Sequence, residues 1–103
     1  MHGTFLAALK ARHAVRVTFV AEEDGGTRTR VCYPMDFGPG RKIKDGQPRY
    51  WFWDSDSPDG PHTLGLLQSQ VGSMVDTNQV FDPASFVTWP TNWHVARDWG
   101  AFS

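Results

Sequence analysis

Arg28 and Arg30, followed by Arg41, Lys42, Lys44 and Arg49, lead along the chain into Tyr50 and Trp51. Cations in such a series can track phosphates while neighbouring rings stack on bases, as in grooves that bind single-stranded nucleic acid. Arginine adds planar, bidentate hydrogen bonding to phosphate. The pattern therefore predicts a site for an anionic ligand, a nucleotide or a single strand. The plainer reading of the same residues is a solvated strand face and a loop kept soluble by its charge. The isoelectric point near 6.4 weighs against a general nucleic-acid module, because such modules are usually basic as a whole.

A second set of chemistry-bearing residues lies at the other end. Trp89, Trp93 and Trp99 stand among polar residues in the last stretch, 88–103. Tryptophans are common interface anchors, so this tail can dock on a partner chain or a second copy. Alternatively it packs back across its own domain, since three tryptophans left in water are a liability.

Catalytic and metal chemistry find no support in the spacing. Cys32 has His13, His62 and His94 as conceivable bases, but nothing in the sequence brings them together. A lone cysteine on a strand reads as a small core residue. His2, His13, His62 and His94 lack paired metal-ligand spacing, so no zinc site is expected. The stretch from Asp54, DSDSPDG, has proline where a calcium loop needs its third acid and Asp59 where it needs glycine. It reads as a turn. FGPGRK lacks the phosphate-loop spacing. A non-enzymatic protein without a cofactor is the expectation.

These residues are positioned by elements that the patterning predicts. The aromatic run Tyr50–Trp53 ends in a Pro/Asp/Gly cluster, which is strand length rather than helix length. Tyr50 and Phe52 then face one side, Trp51 and Trp53 the other, so both sides must be covered. Before it, residues 4–13 read as a short helix capped by Thr4, with Phe5, Leu6, Ala8 and Leu9 as its apolar stripe. A strand over 15–21 places Val15, Val17 and Phe19 on one face, and EEDGG makes a hairpin turn. The return strand, 27–33, carries Arg28, Arg30 and Cys32 on one face and ends at Pro34. Residues 35–48 read as a loop. Further strands are predicted over 62–70 and 71–77, where Gly65 and Gly72 suit bends or bulges. Phe81 and Phe86 come next as plugs. One helix and five short strands give a mainly β domain, a small antiparallel five-stranded barrel over 1–87, with the aromatic tail 88–103 appended.

At 103 residues the chain is long enough to bury a core without disulfides or metal. No run approaches the roughly 20 apolar residues of a membrane span. A soluble, cytoplasmic protein is expected, and the single cysteine fits a reducing compartment. Charge is polarised along the sequence. Residues 1–49 hold nine of the ten Lys and Arg against five acids, and residues 50–103 hold Arg97 alone against six. Either one face is basic or the two halves neutralise one another in the fold.

Over roughly Ala7 to Phe86 the order of motifs resembles the WYL domain, a bacterial module with an Sm-like barrel core. A short helix precedes VRVTFVA. An acidic-Gly hairpin and the arginine-bearing RTRVCYP come next, then the aromatic RYWFWDSD, LGLLQSQVGSM and FDP. The resemblance implies an Sm-like barrel and a regulatory module that senses ligands, often anionic ones such as nucleotides or single strands. The matching positions are Arg28, Arg30, Pro34 and Tyr50–Trp53. The family tends to carry arginines where this chain has Gln68 and Gln70.

Overall fold

The computed structural model describes all residues, Met1–Ser103. Helix α1, His2–Ala11, buries Phe5, Ala8 and Leu9, which recur at helical spacing on one face. Ten residues make a marginal helix in water. Full burial of side chains such as Phe5 and Leu9, each contributing about 1.5–3 kcal/mol, holds it in place. Thr4 does not cap it, as the sequence suggested. The helix starts earlier, with Met1 at the N-cap, so Thr4 falls within the first turn. Arg12 ends it in the left-handed conformation (φ 60°), its N–H returning to Ala8 and Leu9 carbonyls.

Five antiparallel strands form one sheet: β1 His13–Val20, β2 Thr27–Pro39, β3 Pro48–Asp54, β4 His62–Leu67 and β5 Val71–Val80. Their spatial order is β4-β3-β2-β1-β5. The edge strands β4 and β5 are successive in sequence, joined by a single 3-10 turn at Gln68–Gln70. Gln70 braces this corner. Its amide oxygen accepts from Leu67 N–H (2.9 Å) and its amide nitrogen donates to the Val20 carbonyl (3.2 Å). No ladder closes the sheet between β4 and β5.

Strand β2 is nearly twice the expected length. Pro34 does not end it, because the strand changes partner there: Thr27–Cys32 pair with β1, and Tyr33–Pro39 pair with β3. A register shift between Pro34 and Asp36 takes up the proline, which has no N–H to give to a ladder. Residues 35–39, read from composition as loop, are therefore strand, and the true loop is 40–47. Strand β5 likewise runs to Val80, past the predicted Thr77. Gly72 stands at a register shift against β1, as its placement suggested. Gly65 does not: its ladder with β3 is regular.

The inner face collects Val15, Val17, Phe19, Cys32, Tyr50, Phe52 and Leu66 with the apolar stripe of α1. Residues C-terminal to β5 cover the other side of the aromatic strand. Trp53 stacks on Phe86 (5.6 Å between centroids) and Tyr33 on Phe81 (4.7 Å). Asp82 caps the 3-10 turn between these two phenylalanines by accepting from Ala84 N–H. Trp99, 2 % exposed, closes the layer by donating to the Leu9 carbonyl (2.9 Å). No helix is long and apolar enough to cross a membrane.

One side-chain hydrogen bond ties β1 to β5, and its acid gives the fold an acid-side dependence. Asp76 accepts from Asn78 N–H at 2.8 Å and lies 3.1 Å from His13 Nδ1. The backbone donor first, and His13 second, hold its carboxyl below the usual range. A depressed folded pKa stabilises the native state above the unfolded value and loses that contribution as pH falls through the folded one. Below about pH 4, the unfolded value, urea midpoints of the wild type are expected to fall more steeply than those of Asp76→Asn. Parallel curves would remove Asp76 from the acid response.

Candidate functional site

The six cations read from the sequence do not form one track. Arg28 and Arg30 share a face of β2 and line a polar cleft of about 320 Å³ at one end of the sheet. Both are matched by carboxylates. Arg28 binds Asp24 at 2.9 Å, and Arg30 Nε lies 3.7 Å from Asp54, a residue only 2 % exposed. Glu22, Glu23 and Asp59 also line this cleft, which makes it acidic on balance. The Arg28/Arg30 face is thus a neutralised one rather than a phosphate track. Arg49 is 8 % exposed and forks onto both oxygens of Asp45 (3.1 and 3.0 Å). That guanidinium, first among causes, holds Asp45 below the usual carboxylate range.

Tyr50 cannot stack on a ligand. It is fully buried between Phe5 and Phe37, and its hydroxyl meets His2 Nδ1 at 3.0 Å. Cys32 is also fully buried, and burial pushes its thiol well above the ordinary range, which keeps it protonated and inert. No three His, Cys, Asp or Glu side chains are grouped so that they could hold a metal ion.

Arg41, Lys42 and Trp51 do come together, and Trp89 and Trp93 join them. They line a mostly apolar cleft of about 520 Å³ between the β2–β3 loop, the outer face of β3 and the tail. Trp51 is seated by glycines. A Cβ at Gly65, its partner across the β3–β4 ladder, would lie inside 3.0 Å of three carbons of the indole. A Cβ at Gly40 would lie 3.0 Å from the Cζ2 atom of the same ring, and the indole N–H donates to the Gly38 carbonyl at 3.0 Å. Trp89 meets Trp93 edge to face (6.2 Å) and is 39 % exposed. Arg41, Lys42 and Lys44 have no carboxylate within 4.0 Å, although Arg41 hydrogen-bonds the Asn92 carbonyl across the cleft. Lys44 shares the loop but not the lining.

The tail is held by a centre that sequence reading missed. Asp36, 6 % exposed, accepts from the backbone N–H of His94 (2.9 Å) and Val95 (3.0 Å). Its carboxylate also meets Arg97 at 3.4 Å. The Arg97 side chain is fully buried, its guanidinium 4.2 Å from the Trp93 ring and 4.4 Å from the Trp99 ring. Burial lowers its pKa to about 10, so it remains a cation at neutral pH. Two signals pointed here: an acid set between Met35 and Phe37, and the lone cation of residues 50–103 set between two tryptophans. Of the three tryptophans read as partner anchors, Trp99 is a core residue, Trp93 is half-buried beneath Arg97, and Trp89 alone is exposed. Compared with known proteins, the chain matches no family model, no curated protein and no solved structure.

Proposed function

We propose that the chain is a non-enzymatic binding module whose ligand is a small anion with a planar aromatic body, of the nucleotide class. One observation carries this reading: three tryptophans and two cations free of carboxylate partners converge on a single concave surface. Its volume of about 520 Å³ falls in the range of small-molecule sites, which also combine apolar walls with a few orienting polar groups. Indole faces stack any base, while Arg41 and Lys42 at the rim meet the negative charge. A strand lying across the protein finds no continuation of that charge, because Arg28, Arg30 and Arg49 are already paired. The WYL resemblance agrees in ligand class, with the cations supplied by the loop rather than by the arginines of β2.

Titration with adenosine monophosphate at low salt, followed by tryptophan fluorescence, tests the reading. Quenching is expected, weakened about tenfold by Arg41→Ala with Lys42→Ala, in line with about 1.4 kcal/mol for two charge-assisted contacts at an open rim. Arg28→Ala with Arg30→Ala should leave it unchanged. Absence of quenching by the mononucleotide and by a single-stranded oligonucleotide would sink the proposal. The exposure of Trp89 favours a second reading, a protein segment or second copy seated in the same cleft. A concentration-dependent change in sedimentation that Trp89→Ala abolishes would select it.

A further inference from the structure

We infer that occupancy of the aromatic cleft and docking of residues 88–98 are one linked equilibrium, with Asp36 as the positioning residue. The inference rests on the cleft being the binding site. Between Thr88 and Asp98 the chain makes no backbone–backbone hydrogen bond and contains no helix or strand. It is a loop strung between two buried anchors, Val87 (5 % exposed) and Trp99 (2 %). Asp36 holds it inward through the N–H groups of His94 and Val95 and through Arg97, which also donates to the Met35 carbonyl. Arg41 adds a further hold at the Asn92 carbonyl.

Segments fastened by few bonds open locally, while ladder strands exchange only with global unfolding. This segment is also one wall of the cleft, supplying Trp89, Pro90, Asn92, Trp93 and His94. Trp51, Ile43 and the loop cations form the facing wall. When the segment swings out, half the site leaves with it. A ligand that touches both walls binds only the docked form and must favour docking by the same factor that docking favours binding. The module thereby reports its ligand through the position of its tail. Asp36 lies in the lining of the cleft, but its carboxylate is taken up by the His94 and Val95 N–H groups and by Arg97, so it acts through the segment.

Amide hydrogen exchange of the full chain, with and without adenosine monophosphate, reads the coupling directly. At ligand about ten times its dissociation constant, exchange of the His94 and Val95 amides is expected to slow roughly tenfold. In parallel, Asp36→Asn should weaken mononucleotide binding about tenfold while the β1–β2 ladder amides keep their protection. The amide measurement uses the unsubstituted protein, so it stands even if Asp36→Asn fails to fold. Slowing confined to ladder amides, with His94 and Val95 unchanged, would overturn the linkage and leave the cleft as a site. No slowing anywhere and no fluorescence quenching would overturn both.

Discussion

Trp99→Ala is expected to cost about 3–5 kcal/mol of folding free energy, whereas Trp89→Ala, ten residues earlier, is expected to cost less than about 1 kcal/mol. The same substitution in one segment separates because the two rings do different work. Trp99 is 2 % exposed, packs edge-on against Phe81 at 5.5 Å, and donates its N–H to the Leu9 carbonyl at the end of α1. Its removal opens a ring-sized void and leaves a buried carbonyl with one partner fewer. It also strips one of the two rings that enclose the Arg97 cation. Trp89 loses little on truncation, being 39 % exposed with an edge contact to Trp93 alone among the rings. Urea unfolding followed by circular dichroism measures both. A Trp99→Ala loss under about 1 kcal/mol would mean that the end of the chain lies outside the cooperative unit.

Gly65→Val is the second large effect, and it connects stability to the site. A side chain there meets the Trp51 ring at sub-contact distance, and Gly40 is close to the ring at Cζ2. Either β4 shifts away from β3 or the indole leaves its seat. Overpacking of this kind costs about 1–3 kcal/mol, occasionally more. The indole's bond to the Gly38 carbonyl should be lost, and with it the floor of the cleft. The variant is therefore expected to unfold at lower urea and to lose mononucleotide quenching even where it is fully folded. Retained quenching in folded Gly65→Val would exclude Trp51 from the site. Gly65→Ala should show the same two effects at smaller size.

Alternation along the strands was the legible part of the fold. Val15, Val17 and Phe19 on β1, and Tyr50 and Phe52 on β3, lie on the inner face that a period of two predicts. What the pattern hid were events that depend on a neighbour. Pro34 reads as a strand end until β2 is seen to exchange β1 for β3 at that point. Gly65 reads as a bend until Trp51 is seen to lie over it. Of the candidate site, the proximity of Arg41, Lys42 and Trp51 comes from the hairpin that joins them. The pairing of Arg28 with Asp24 and of Arg49 with Asp45 was within reach too, since each acid stands four residues before its arginine. Asp54 against Arg30, and the tail wall set by Asp36, join residues far apart in sequence, and no local spacing announces them.

The placement of β5 beside β1 bears on how the chain reaches its native state. Residues 13–20 find their outer partner only in residues 71–80, and the tail that seals the second aromatic layer comes later still. The hairpins β1–β2, β2–β3 and β3–β4 need only short loop closures, but the sheet cannot finish its core until nearly the whole chain is present. During synthesis the aromatic strand must wait on the ribosome with its outer rings uncovered. Refolding from denaturant belongs on the millisecond-to-second scale of non-local β topologies, not the microseconds of helical bundles.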